Sequence, residues 1–243
     1  HAAEGGRPEL FAPLYGFALL AGVANAIEPG QNATLTYTVN NQGSNPALGT
    51  WRDSIYLSTD DVWDVGDALF GSVQQSGPLA GGSSYSRTLT AALPGLAPGA
   101  YRVIVRSDIL NTVAESNDAN NLKATLDNVA VDVAELALGT PTTGTLNAGQ
   151  AVYYKIEVGA GETVRVTLDS AGEDNGNELY LRYGGMPSRG VFDFTGRDPF
   201  VADQQTVIPT TQAGTYYVLV YAASGSAARP FSLTAEMLPF SLQ

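Results

Sequence analysis

The chain of 243 residues contains no cysteine, and its only histidine is His1. Without thiols there is no disulfide framework, no thiolate nucleophile and no cysteine-ligated zinc. Without an internal imidazole the usual general base is missing, which excludes Ser-His-Asp and Cys-His catalysis and histidine-ligated metals. Positive charge is scarce too: 12 Lys+Arg stand against 24 Asp+Glu, and Lys123 and Lys155 are the only lysines. The formal net charge of -12 repels a phosphate backbone, because nucleic-acid binding needs clustered Lys and Arg. It also disfavours anionic membranes and makes cations the natural small partners.

No stretch shows helical periodicity with caps, and one long apolar run occurs, residues 10–27 (LFAPLYGFALLAGVANAI). Pro13, Gly16, Gly22 and Asn25 interrupt it and no basic stretch precedes it, so membrane insertion is not expected. Two readings remain. The run forms a buried strand or two, or Leu14, Tyr15, Phe17, Leu19, Leu20 and Val23 form an exposed strand that completes the sheet of another copy of the chain. Because the chain starts at His1 rather than Met, an upstream leader is expected to have been removed, which points to a secreted or cell-surface protein.

What is present is β-grammar. Residues 34–39 (TLTYTV) put Leu35, Tyr37 and Val39 on one face and three threonines on the other, the period-2 signature of a strand. Residues 51–58 (WRDSIYLS), 84–91 (SYSRTLTA) and 101–106 (YRVIVR) read the same way, separated by turn clusters such as Glu28-Pro29-Gly30 and residues 94–99 (PGLAPG). A second half echoes the first. Pro29-Gly30-Gln31 leads into a strand as Ala148-Gly149-Gln150 does, and Pro98-Gly99-Ala100-Tyr101 is matched by Ala213-Gly214-Thr215-Tyr216. The fold class is therefore all-β, two tandem sandwiches spanning 1–133 and 134–243. Their net charges are -7 and -5, so neither half is a basic arm or an acidic tail.

The first module resembles the bacterial CARDB family, a cell-adhesion-related domain. The resemblance rests on Tyr37-Thr38-Val39-Asn40-Asn41-Gln42-Gly43-Ser44 and on Trp51-x-Asp53-x-Ile55-Tyr56-Leu57-Ser58. It continues through Gly77-Pro78-Leu79 to Asp108-x-x-Asn111-x-Val113-x-Glu115-x-Asn117-Asp118-x-Asn120-Asn121. The second module is similar to bacterial pre-peptidase C-terminal (PPC) domains. It carries Gly144-Thr145-Leu146, then Glu178-Leu179-Tyr180-Leu181-Arg182-Tyr183-Gly184, and finally Gly214-Thr215-Tyr216-Tyr217-Val218-Leu219-Val220. These resemblances imply an immunoglobulin-like sandwich followed by a non-catalytic, jelly-roll-like one, of the kind appended to secreted hydrolases or large surface proteins.

Two loops gather oxygen ligands. Asp60, Asp61, Asp64 and Asp67 follow one strand closely, and Asp108, Asn111, Glu115 and Asp118 lie in a second loop with Asn117, Asn120 and Asn121. Ca2+ prefers six to eight such oxygens, so both loops are candidate calcium sites. The same residues also stabilise turns by bonding their own backbone. With immunoglobulin-like strand order the two loops would lie at opposite poles. Glu173, Asp174, Asn177 and Glu178 form a smaller candidate.

Seven of the twelve tyrosines fall in the second module. In Tyr216-Tyr217 one ring must face outward, so the pair is a candidate platform for an extracellular polymer. No phosphate loop or nucleophile motif is present, and the chain is not read as an enzyme. The leading expectation is a structural or adhesive pair of extracellular modules whose partners are other copies of itself or neighbouring modules. The competing one is a substrate-binding accessory of a secreted protease or polysaccharide hydrolase.

Overall fold

The computed structural model describes residues 10–11, 17–18, 26–115, 117–170, 176–225 and 228–239. They divide into two compact units, one taking in Gln31–Pro94 and Pro98–Val131, the other running on from Asp132. The first contains β1 (Leu10–Phe11), β2 (Phe17–Ala18), β3 (Asn32–Asn41), β4 (Thr50–Ser58), β5 (Ala68–Ser76), β6 (Ser84–Ala92), β7 (Gly99–Arg106), β8 (Leu122–Ala124) and β9 (Val129–Val131).

Alternation decides how these strands lie. In β3, Ala33, Leu35, Tyr37, Val39 and Asn41 are buried while the residues between them are not. β6 pairs antiparallel with β3 along one edge. On their outer face Thr34–Thr90, Thr36–Thr88 and Thr38–Ser86 form three hydroxyl pairs of 2.7–2.9 Å, cross-strand contacts that fix register without charge. The opposite edge of β3 takes β1 and β2, with Leu10 paired to Asn41 and Phe17 to Leu35. The second sheet runs β5-β4-β7-β8, and β9 also pairs with β7. Trp51, Ile55 and Leu57 of β4 and Val103 and Val105 of β7 are buried. One short 3₁₀ turn, Asp118–Asn120, interrupts the loop between β7 and β8.

The second unit contains β10 (Ala134–Glu135), β11 (Thr142–Leu146), β12 (Ala151–Val158), β13 (Thr163–Ser170), β14 (Asn177–Tyr183), β15 (Phe194–Gly196), β16 (Gln204–Ile208), β17 (Gly214–Ala222) and β18 (Arg229–Leu238). They form two sheets, β10-β12-β17-β14-β15 and β11-β18-β13-β16. Their inner faces meet in one core that includes Ile156, Val166, Leu168, Leu181, Val218 and Leu233. At Gly196, where β15 gives way to the segment leading to β16, a Cβ would lie 2.5 Å from the Gln205 carbonyl oxygen. Only glycine allows that close crossing between the sheets. No helix among the described residues is long and apolar enough to cross a membrane.

Candidate functional site

The first acidic loop, residues 59–67, uses its carboxylates on its own backbone. Asp60 accepts from the Val62 amide at 2.8 Å, Asp64 from the Gly66 amide at 2.6 Å, and Asp67 from the Asp64 amide at 3.0 Å. The first two are Asx turns and the third bond reaches back along the loop, the chemistry that makes Asp abundant wherever a chain reverses. Asp61 is exposed. Among the described residues no three acidic or histidine side chains converge in a group that could hold a metal ion.

The second loop is built around Asp108, which is 3% exposed. One carboxylate oxygen accepts from the Thr112 amide at 3.0 Å and its hydroxyl at 2.8 Å, the other from the Val113 amide at 2.7 Å. Asp108 and Asn111 both hold positive φ, 43° and 50°, a region Asp and Asn tolerate better than other side-chain-bearing residues. Asn111 donates weakly to Asp118 at 3.4 Å, and Asn117 caps the 3₁₀ turn through the Ala119 amide. Glu115 and Asn121 are buried.

The two loops leave opposite ends of the antiparallel β4–β7 pair, and of the first loop Trp63 reaches the second, while Asp60, Asp61, Asp64 and Asp67 do not line the same hollow. The first folds back over the outer face of β4, where the Trp63 ring meets Tyr56 edge-on at 5.8 Å. The Arg106 guanidinium, at the end of β7, lies 3.7 Å from the centroid of the same ring. Trp63, Arg106, Asp108, Asn111, Asp118 and Asn121 consequently line a common hollow. Trp63 carried no warning in the sequence beyond being one of two tryptophans.

Sequence reasoning also missed the role of Asp53. It is fully buried on β4, between Trp51 and Ile55. Tyr37 and Tyr85 donate to one carboxylate oxygen at 2.9 and 2.7 Å, and Ser107 to the other at 2.8 Å. Trp51 donates its indole N–H to the Tyr85 hydroxyl at 3.0 Å. Tyr37 and Tyr85 come from one sheet, Asp53 from the other, so this network pins the two layers together without a disulfide. Burial pushes the Asp53 carboxyl above the ordinary carboxylate range, against the opposing pull of the Tyr85, Ser107 and Tyr37 hydroxyls.

In the second unit the tyrosine platform needs one correction. Tyr216 is 2% exposed and packs in the core, its hydroxyl accepting from the Gln212 amide. Strand alternation sends Tyr217 outward instead. Register aligns Lys155, Tyr217 and Arg182 across β12, β17 and β14 on the outer face. Lys155 pairs with Asp132 at 3.1 Å, and Arg182 donates to the Met186 carbonyl at 3.2 Å. The neighbouring rows are covered. Tyr180 lies under Phe192, with ring centroids 5.0 Å apart. Arg189 spans Tyr221 at 4.5 Å and grips Glu178 through two hydrogen bonds of 2.6 and 2.8 Å. That guanidinium holds the Glu178 carboxyl below its usual range. Asn177 is buried and donates to the Ala202 carbonyl. Glu173 and Asp174 lie outside the described residues, as do Leu14, Tyr15, Leu19, Leu20 and Val23 of the proposed assembly segment, while Phe17 falls in β2, paired to its own chain.

Comparison with known proteins agrees with this two-unit layout. Residues 20–125 match the CARDB family, and residues 150–222 match the bacterial pre-peptidase C-terminal domain. The chain joins a CARDB domain to a PPC domain. Over 89 residues it is 32% identical to alkaline serine exoprotease A of Vibrio alginolyticus, covering 35% of this chain and 16% of that protein. The chain thus spans only a small part of that relative. Among solved structures, a CARDB domain from Pyrococcus furiosus, in complex with di-metal ions, is 21% identical. The match covers 52% of this chain and 90% of that one, with a TM-score of 0.37. The PPC domain of a Bacillus anthracis collagenase is 15% identical, with 43% and 94% covered and a TM-score of 0.35.

CARDB and PPC domains are non-catalytic accessory domains. The titratable groups follow the same logic here. In the CARDB domain the shifted carboxyl, Asp53, is sealed between sheets and satisfied by three hydroxyls. In the PPC domain Glu178 is neutralised by Arg189. A general acid or base must reach the proton it moves, and the sealed Asp53 carboxyl does not.

Proposed function

We propose that the pair serves as an extracellular accessory of a secreted hydrolytic enzyme, holding it on a polymeric substrate or surface. The observation that carries this reading is the half-buried Lys155–Tyr217–Arg182 row on the outer face of the PPC domain. A flat aromatic ring flanked by Arg182 and by the Lys155–Asp132 ion pair offers area and hydrogen bonds to an extended amide-rich chain at small entropy cost. The stretch shared with a serine exoprotease supports a protease as the enzyme served. Assembly by strand addition has less support, because β2 already pairs with β3 of its own chain.

Retention on insoluble collagen, cellulose and chitin tests the proposal. The full chain is expected to be held by at least one of them, and Tyr217→Ala to weaken retention about tenfold. Retention unchanged in Tyr217→Ala, or absent on all three supports, would sink it. Tyr217 lies on an outer face, so the variant keeps its core and its melting temperature serves as the folding control.

A further inference from the structure

An exposed sheet edge is a template for pairing with another chain, and proteins guard their edges with short strands, charges and bulges. Most edges of this chain are guarded. β6 is nine residues long, but its Arg87 lies opposite the buried Tyr37 and so shares the inward face, and an inward charge keeps a second strand away. β8 has three residues and carries Lys123. In the second unit the edge strands β10, β15, β11 and β16 have two, three, five and five residues.

β5 is the exception. Its nine residues (ALFGSVQQS) include no charge and no proline, and it pairs with β4 alone. The backbone groups of an antiparallel strand point alternately to its two sides, and among the described residues no backbone hydrogen bond is made on the far side of β5. A bulge at Phe70 guards only the start of the strand and leaves Gly71–Ser76 regular. Ser72, Gln74 and Ser76 stand exposed on the outer face.

The row itself selects the occupant. A foreign peptide added to an edge is held by its main chain but recognised through side-chain pockets, and two hydroxyls and one amide give it little to read. A second copy running the other way matches the same row. Gln74 then meets a serine hydroxyl or another Gln74, and no like charges oppose each other. Charge fixes the direction as well. Asp60, Asp61, Asp64 and Asp67 immediately precede β5. Parallel pairing would stack the two acidic loops, whereas antiparallel pairing sends them to opposite ends of the ladder.

We infer that β5 is the contact of a homodimer, in which two β5 edges pair antiparallel about a two-fold axis and join two four-stranded sheets into one. Such an isologous contact consumes the edge, so assembly stops at two copies. It uses neither the N-terminal segment nor the Tyr217 row, and it doubles whatever contact a single copy makes with a polymer.

Sedimentation equilibrium of the full chain, from low micromolar concentration to the solubility limit, is expected to show reversible monomer–dimer exchange and no larger species. Gln74→Lys, with Gln74→Glu as a second variant, sets like charges on the paired row and should weaken the dimer about tenfold or more. Position 74 is exposed, so the melting temperature of the dilute monomer serves as the folding control. Amide exchange should slow with concentration in β5 and not in β6. A monomer at every concentration overturns the assignment, and protection of the β5 amides when gelatin is added to that monomer would give the edge to an extended peptide instead. A dimer that neither Gln74 variant weakens, or growth beyond two copies, overturns it as well. Loss of polymer retention in Tyr217→Ala with the dimer unaltered separates this contact from the accessory role proposed above.

Discussion

Asp53→Ala is expected to lower the unfolding free energy of the CARDB domain by about 3–5 kcal/mol. The alanine leaves Tyr37, Tyr85 and Ser107 with buried hydroxyls and no acceptor. Each such group costs about 1–3 kcal/mol, less where the hydroxyls can turn toward one another. Asp53→Asn keeps an acceptor in the same shape and should cost about 1–2 kcal/mol. Trp51 and Trp63 both lie in this unit, so urea unfolding followed by tryptophan fluorescence reads it alone. Equal midpoints for wild type and Asp53→Ala would show that the network does not pin the sheets.

The same residue sets a pH dependence whose sign is opposite to that of an ordinary salt-bridged carboxylate. Burial raises the Asp53 carboxyl in the folded state, so the folded chain binds this proton more tightly than the unfolded one. Its contribution is complete below the unfolded value of about 3.9 and is lost as pH rises through the folded value. Relative to Asp53→Asn, the wild-type CARDB domain should therefore lose stability as pH rises from about 3.9 through the folded value. A wild-type-minus-Asn difference that stays flat over that interval would contradict the shift. Glu178, held low by Arg189, acts in the other direction but in the PPC domain, where fluorescence from the tryptophans does not report.

How far these features were legible in the chain differs from residue to residue. Period-2 alternation located β3, β4, β6 and β7 to within one or two residues at most ends, because one buried face leaves no freedom of register. The string Trp51-x-Asp53-x-Ile55 was visible as well. Its meaning was not, since the hydroxyls that explain a buried Asp arrive from β3, from β6 and from the end of β7. Tyr216-Tyr217 shows the same limit on a smaller scale. Alternation demands one ring in and one out, and only the packing of Tyr216 and Val218 in the core decides which. In the acidic loops, spacing shows that oxygens are abundant but not where their lone pairs point. That depends on backbone angles such as the positive φ of Asp108. The hollow was hardest to foresee, because Trp63 reaches it from a loop more than forty residues before Asp108 and Asn121.

Asp108 supplies the second large expected effect. Asp108→Ala removes three hydrogen bonds at a 3%-exposed carboxylate and leaves the Thr112 and Val113 amides without their acceptor. It also places alanine at φ 43°, where a non-polar side chain gains nothing to offset the crowding. The combined loss is expected to be about 2–4 kcal/mol. Asp108→Asn tolerates the same backbone angle and keeps one acceptor, and should lose about 1 kcal/mol. Hydrogen exchange tells this local account from a general weakening: the Thr112 and Val113 amides should lose protection in the alanine variant before those of β3 do. The loop is also tied down by the Ile109 amide, which donates to the Arg52 carbonyl at 2.9 Å, and in the alanine variant the single Thr112 hydroxyl proton is left to the Thr50 carbonyl at 3.0 Å. It should therefore loosen without detaching, and the Trp63 indole resonance should shift. Were Asp108 serving mainly as a cation ligand, the asparagine and alanine variants would lose protection only in the presence of calcium. Losses of the same size in chelator and in calcium place its carboxylate in the backbone of the loop.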